Sequence, residues 1–129
     1  MSSIFTKIMN GDLPSYKLHE DEWTISILTI EPIRLGHSLV IPKVEVDHFF
    51  EVPEPYYTKV FENSKKLAIA IKKATGCKRV GTIIQGFEVA HCHHHLVPVD
   101  KPSDLSFAHA HKESEEKMKE IQQKIITCL

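Results

Sequence analysis

The chain has 129 residues, of which 42% are hydrophobic and 26% are charged, so we expect one folded domain over residues 1–129. Its formal net charge of -1 argues against a general nucleic-acid-binding protein, which usually carries a basic patch. No apolar run approaches the roughly 18 residues needed to span a membrane, and the N-terminus lacks the apolar core of a signal peptide. Together with the wide spacing of Cys77, Cys92 and Cys128, which is typical of reduced thiols, this predicts a cytoplasmic protein without nucleic-acid or membrane partners.

The first part of the chain predicts a short helix followed by three strands. Apolar residues at helical spacing predict the helix over residues 3–10, and Gly11 is a suitable residue to end it. Apolar runs and period-two alternation predict strands over residues 16–20, 23–29 and 37–42. In the second of these, Trp23, Ile25 and Ile27 occupy alternate positions.

The second part of the chain predicts a long helix, two more strands and a C-terminal helix. Helical spacing predicts the long helix over residues 55–75, with Gly76 at its C-terminal end. The remaining elements are two strands over residues 80–85 and 89–99 and a helix over about 111–127. Because most strands follow one another directly, we expect an α+β fold in which an antiparallel meander is packed against helices.

The last predicted strand contains four histidines in five residues, His91-Cys92-His93-His94-His95. Residues two apart on a strand share a face. His91, His93 and His95 are therefore predicted to form a row on one side, with Cys92 and His94 on the other. Histidine can act near neutral pH as a nucleophile, an acid, a base or a metal ligand.

Three interpretations of this row are open from the residue types alone. A metal site would use two of the three rings, because Cα atoms four residues apart on a strand are separated by about 13 Å and zinc–nitrogen bonds are roughly 2 Å. Phosphoryl or nucleotidyl transfer would use all three, with one imidazole attacking phosphorus and its neighbours contacting phosphate oxygens. The third interpretation is a histidine-rich strand without chemistry, although every buried imidazole needs a hydrogen-bond partner.

Three segments of the chain resemble the histidine triad (HIT) family. The segment from His91 to Val97 is similar to the family's triad motif, His-φ-His-φ-His-φ-φ with φ apolar, and departs from it at His94. Residues 36–43, Gly-His-Ser-Leu-Val-Ile-Pro-Lys, and residues 3–8, Ser-Ile-Phe-Thr-Lys-Ile, resemble two further family segments. The resemblance covers about residues 2–107.

This resemblance implies a HIT-like half-barrel of antiparallel strands with a long central helix and a C-terminal helix. It also implies a homodimer that binds purine nucleotides and cleaves them at the α-phosphate as a nucleotidyl hydrolase or transferase. By the same resemblance, His93 matches the nucleophile that forms a nucleotidyl-histidine intermediate, and His95 matches the neighbour that contacts the phosphate. His91 and His37 match supporting histidines. No cofactor is implied.

Several positions depart from the common family pattern and resemble a divergent bacterial branch. Thr29 stands where many members hold the ribose with Asp or Asn. Phe87 and Glu88 follow Gly86 where many members carry Gly-Gln-Ser or Gly-Gln-Thr with side chains on the phosphate. We expect these four positions to line the substrate site, and their identity keeps open a non-catalytic nucleotide-binding or interaction module. Some relatives hold zinc through an N-terminal cysteine pair that is absent here, so we expect no metal site.

Overall fold

The computed structural model describes residues 2–129; Met1, the first residue of the predicted domain, lies outside this part. The elements in chain order are α1 (Ile4–Met9), β1 (Tyr16–Glu20), β2 (Thr24–Leu28), β3 (Ser38–Pro42), α2 (Tyr56–Thr75), β4 (Arg79–Ile83), β5 (His94–Val99) and α3 (Glu115–Cys128). Short 3-10 helices lie in the connections at Phe49–Glu51, Pro102–Asp104 and Phe107–His109. Among residues 2–129, no helix has the length and apolar character needed to cross a membrane.

The five strands of this part form one antiparallel sheet in the order β1-β2-β3-β5-β4. The predicted α+β class is confirmed, but the predicted meander is correct only for β1 to β3. The 20 residues of α2, about 30 Å of helix, carry the chain across the sheet to its outer edge. The chain then enters β4 at this edge, and β5 follows between β4 and β3. This order places the end of the histidine motif in the interior of the sheet.

Helices cover both faces of the sheet. On one face, α2 and α3 pack over a core that includes Leu67, Ile71, Ile121 and Ile125. On the other face, Phe5 of α1 packs against the outward side of β2 and β3. Every residue of β2 and β3 is consequently buried. The alternation in β2 therefore does not separate a buried face from an exposed one.

The bounds of the C-terminal helix differ from the prediction. It begins at Glu115 rather than near residue 111, because the Ser114 side chain accepts a hydrogen bond from the Lys117 N–H and caps the first turn. The backbone N–H of His111 instead donates to the carbonyl of Pro32, which holds the preceding segment extended. The predicted end of α2 is confirmed, since Gly76 adopts the left-handed conformation at φ 70°.

The predicted strand over residues 89–99 is shorter in the structure and begins at His94. Pairing with β3 starts at Val40 opposite His94. The Cys92 N–H donates to the carbonyl of Val46 at 2.7 Å and so leaves the ladder. His91 and His93 thus lie just before the strand, and only His95 of the predicted row is inside it.

Candidate active site

The sheet order brings His37 and His95 together. His95 lies opposite Leu39 in the β3–β5 ladder, and His37 immediately precedes β3. The His37 and His95 ring centroids are 5.1 Å apart, and those of His93 and His95 are 4.9 Å apart. Three of the four predicted catalytic histidines therefore form a contiguous cluster, with His93 and His95 side by side as the row predicted.

The hydrogen bond of His93 determines which of its nitrogens is free. Its Nδ1 atom lies 2.7 Å from the carbonyl oxygen of His91. A carbonyl oxygen only accepts, so Nδ1 carries the proton. In the neutral ring the Nε2 atom then holds an unshared electron pair, which is the form needed for nucleophilic attack.

A chain of hydrogen bonds places the proton of His95 on Nε2, whereas the proton of His93 is on Nδ1. The Ile33 N–H donates to Nδ1 of His37 at 3.0 Å, so the proton of the neutral His37 ring is on Nε2. That proton is donated to Nδ1 of His95 over 2.9 Å. The neutral His95 ring therefore carries its own proton on Nε2 and presents an N–H donor beside the electron pair of His93.

His91 is held by the protein at both of its ring nitrogens. It is 0% exposed, and its two ring nitrogens lie 2.8 Å from the Pro42 carbonyl and 2.7 Å from the Ser3 hydroxyl. Both nitrogens are occupied by protein atoms. The ring therefore has no free nitrogen for a substrate, and its backbone carbonyl is what touches His93.

Burial keeps these rings neutral. Loss of hydration lowers the pKa of His37 to about 4, with the neighbouring His93 adding to the effect. Burial and the adjacent histidines lower the pKa of His95 to about 3. Burial also lowers the pKa values of His91 and His93 below 6.5. At neutral pH the cluster is therefore a set of uncharged donors and acceptors rather than a cationic site.

The alternate residues of the motif face the other side, as the extended pattern predicted. His94 and Cys92 both line a small cavity beneath α2. The His94 ring lies 3.1 Å from the Ser64 hydroxyl and packs edge-on against Phe61. An imidazole thus fits the usually apolar position because α2 offers it a polar partner and an aromatic wall.

Two aromatic residues of the site were not predicted. Phe5 of α1 contacts the rings of His91 and His93 at centroid distances of 5.7 and 4.9 Å. Phe107 lies 5.0 Å from the ring of His95 and is 40% exposed. Phe5 carried a signal, since it lies on the apolar side of a predicted helix. Phe107 lies in a connection whose sequence has no periodicity.

The segment that carries Phe107 is held by an ion-pair cluster. Arg34 binds both Asp100 and Asp104. The Asp104 carboxylate also accepts the backbone N–H groups of Asp100 and Lys101. These contacts hold residues 100–107 against the loop that precedes His37, and they place Phe107 at the side of His95.

The four predicted substrate-binding positions are only partly brought to the histidines. Thr29 is half-buried, and its N–H donates to the carbonyl of His37. Gly86 adopts φ 72° in the loop before the motif. Burial lowers the pKa of His93, and the charge of Glu88 opposes this effect in part. The Glu88 carboxylate therefore lies within electrostatic range of His93. Phe87 is 92% exposed.

Metal-binding side chains do not converge in the part of the chain that the structure describes. No group of three or more His, Cys, Asp or Glu residues there is placed to hold an ion. The hydrogen bonds explain this for the histidines, because Nδ1 of His93 and both nitrogens of His37 and His91 already have protein partners.

An antiparallel sheet with a histidine cluster at the start of an inner strand defines a histidine-triad protein. A model of the HIT domain family matches residues 10–102. The chain belongs to this family.

Relatives extend the match over the full fold. An uncharacterized HIT-like protein of Borreliella burgdorferi is 34% identical over 95% of this chain and 94% of its own length. An adenosine 5'-monophosphoramidase of Saccharomyces cerevisiae is 35% identical over 74% of this chain and 61% of its own. The crystal structure of a HIT-like protein from Bartonella henselae superposes with a TM-score of 0.88 at 26% identity, covering 99% of this chain and 96% of that one.

Proposed function

We propose that this protein is a nucleotide hydrolase or transferase that acts at the α-phosphate through a nucleotidyl-histidine intermediate on His93. The observation that supports it most is the hydrogen bond from Nδ1 of His93 to the carbonyl of His91. This bond places the free electron pair on Nε2. The yeast relative named as an adenosine 5'-monophosphoramidase supports the same class of chemistry.

In the first step, the electron pair of His93 Nε2 forms a bond to the α-phosphorus. The bond from phosphorus to the leaving nitrogen or oxygen breaks, and its electron pair departs with that atom, which takes up a proton from solvent. The His93 ring then carries positive charge, which the carbonyl of His91 stabilises through the Nδ1 proton. The Nε2–H of His95 is available to donate to a phosphate oxygen where negative charge gathers.

In the second step, water attacks the same phosphorus. The bond from phosphorus to Nε2 breaks, its electron pair returns to His93, and a nucleoside monophosphate is released. The proton that water loses balances the one taken up by the leaving group in the first step. In a transfer reaction another nucleophile takes the place of water. Every protein group in these steps belongs to the histidine cluster.

We propose purine nucleotides as the substrates, in the form of a nucleoside phosphoramidate, an acyl-adenylate-like compound or a dinucleoside polyphosphate. These three share an α-phosphate bonded to a group that leaves readily, which is what a single imidazole nucleophile requires.

A non-catalytic nucleotide-binding or interaction module is the second candidate. Two observations favour it: the Phe87 side chain points into solvent, and the Thr29 hydroxyl is turned to the backbone N–H of Glu31 at 3.4 Å. Phe87 offers no polar contact to a phosphate, and Thr29 supplies one hydroxyl where a carboxylate or an amide is expected to hold the ribose. Such a module would bind nucleotides without forming a covalent adduct.

The deciding experiment measures release of adenosine monophosphate from an adenosine phosphoramidate and from a dinucleoside polyphosphate, with a metal chelator present. The wild type is compared with His93→Ala and with His19→Ala, which removes an exposed histidine of β1. We expect release by the wild type and by His19→Ala only, together with one nucleotidyl mass increment on His93 when the reaction is quenched. Turnover by a folded His93→Ala variant would disprove the mechanism. Nucleotide binding without release or adduct would establish the module instead.

A further inference from the structure

The start of helix α1 joins the hydrogen bonds of the histidine cluster. Ser3 is the N-cap residue of α1, and its Oγ atom lies 2.7 Å from Nδ1 of His91. These residues are 88 positions apart in the chain. The contact is part-buried and ends on a ring that is completely buried.

The direction of each bond follows from its partner. Nε2 of His91 lies 2.8 Å from the carbonyl oxygen of Pro42 and therefore carries the proton of the neutral ring. Nδ1 then has an electron pair and must accept, so the Ser3 hydroxyl is the donor. The same Ser3 oxygen accepts the N–H of Thr6 at 3.1 Å. Ser3 thus caps the helix with its oxygen and orients His91 with its proton.

The contact leads directly to His93. The backbone carbonyl of His91 accepts the Nδ1 proton of His93 at 2.7 Å. Phe5, two residues after Ser3, packs against both imidazoles. Helix α1 therefore supports the nucleophile twice, through hydrogen bonds that begin at Ser3 and through the ring of Phe5.

A carboxylate holds this end of α1 in place. Oε1 of Glu45, in the segment after β3, accepts the hydroxyl of Thr6 at 2.9 Å and the backbone N–H of Ser3. The cap is thereby tied to the segment that follows the strand ending at Pro42, whose carbonyl accepts the Nε2 proton of His91. Ser3 and Pro42 therefore bind the His91 ring from two sides, at Nδ1 and at Nε2.

We propose that Ser3 is a positioning residue for the reaction at His93: its hydroxyl holds the His91 ring in one orientation against the Pro42 carbonyl, and the His91 carbonyl in turn keeps Nε2 of His93 free for the substrate. The effect on turnover rests on the proposed function; the order of hydrogen bonds does not. Without the hydroxyl, the His91 ring is held only at Nε2 and can rotate away from the Pro42 carbonyl. Its proton is then no longer fixed, and the His91 carbonyl that orients His93 loses the support of a fixed ring. Outer partners that orient functional histidines typically change activity about 10- to 100-fold.

Three substitutions separate this role from helix capping. Ser3→Thr keeps the cap and the donor. Ser3→Gly keeps most of the capping stability, because glycine is a good N-cap residue, but has no hydroxyl. Ser3→Ala loses both. If Ser3 only stabilises α1, activity should follow thermal stability, and the glycine variant should resemble the threonine variant. If Ser3 positions His91, the glycine and alanine variants should share the defect.

The experiment combines steady-state kinetics with nitrogen-15 NMR of the histidine rings. We expect Ser3→Gly and Ser3→Ala to lower kcat about 10- to 100-fold with little change in KM, and Ser3→Thr to retain kcat. The Nδ1 and Nε2 signals of His91 should show one tautomer in the wild type and in Ser3→Thr, and averaged signals in Ser3→Gly.

A folded Ser3→Gly variant with wild-type kcat and unchanged His91 signals would overturn the proposal. The NMR measurement does not depend on catalytic activity. If the wild type proves inactive, unchanged His91 signals in Ser3→Gly would still refute the holding role of Ser3, whereas averaged signals would uphold that role while the catalytic proposal fails.

Discussion

Nε2 of His37 lies 2.9 Å from Nδ1 of His95, and this contact makes one histidine the proton donor to the other. The donor role of His37 is set at its far nitrogen, where the backbone N–H of Ile33 already donates to Nδ1. A backbone group that cannot change its protonation thus determines, two rings away, that Nε2 of His95 carries a proton.

Replacing His37 should remove this control. His37→Leu leaves Nδ1 of His95 without a donor, so the proton of His95 can occupy either nitrogen. We expect kcat to fall about 10- to 100-fold, whereas His37→Gln, whose amide N–H₂ can reach a similar position, should keep more of it. The measurement is kcat for both variants alongside the ring nitrogen signals of His95. Wild-type kcat in a folded His37→Leu variant would show that the relay is not needed.

Removing the ring of Phe107 should change the titration of His95. The edge-on contact at 5.0 Å shields His95 from water, and burial is the main cause of its lowered pKa. In Phe107→Ala we expect the pKa of His95 to rise from about 3 towards 6.5, with a loss of about 1 kcal/mol of stability from the lost packing.

An NMR titration of the histidine protons tests this expectation. Phe50→Ala is the matched control, because Phe50 is exposed and packs against His48 rather than against the cluster. An unchanged His95 titration in Phe107→Ala would mean that the rest of the sheet, rather than this ring, keeps water away.

The buried histidines should make the folded state sensitive to acid. Burial lowers the pKa values of His37 and His94 from 6.5 to about 4, while the same rings titrate near 6.5 in the unfolded chain. Between these values the unfolded state binds more protons, so stability is fully present above pH 6.5 and is lost as pH falls towards 4.

Denaturant unfolding at pH 7 and pH 5 measures the effect. We expect a loss of the order of 1 kcal/mol for each of these two rings. His94→Phe, which fills the site beneath α2 without a titrating group, should lose less stability on acidification than the wild type. Equal stability of the wild type at both pH values would contradict the lowered pKa values.

Two copies of the chain should associate in solution. Strand β4 forms an outer edge of the sheet, which leaves backbone groups open to a further strand. Phe61 on the neighbouring helix α2 is 44% exposed. We expect sedimentation equilibrium at micromolar concentration to give twice the 14.7 kDa mass of one chain.

A charge on α2 tests whether this helix takes part in the association. Phe61→Asp should shift the equilibrium towards the single chain, whereas Phe50→Asp, on the 3-10 helix after β3, should not. Circular dichroism checks that both variants keep their helices. A wild type that sediments at the mass of one chain would disprove the dimer.

Much of the fold could be predicted from local patterns. The periodicity of α2 and its end at Gly76, the alternation around His93 and the α+β class were all visible in the sequence, because they depend on residues close together in the chain. The starts of β5 and α3 were predicted wrongly, because each depends on a distant backbone carbonyl. Cys92 bonds to Val46, and His111 bonds to Pro32.

The chemistry of the cluster divides in the same way. The sequence by itself determined the family and which histidines share a side, since the motif is contiguous and an extended chain alternates. Only the tertiary structure decided which nitrogen of each ring carries the proton. The partners that decide it are Ile33 and, across 58 residues, His37 for His95, and the Pro42 carbonyl, across 49 residues, for His91. A hydrogen-bond direction depends on the atom facing the ring, and the packing of α1 and β3 around β5 brings that atom into place.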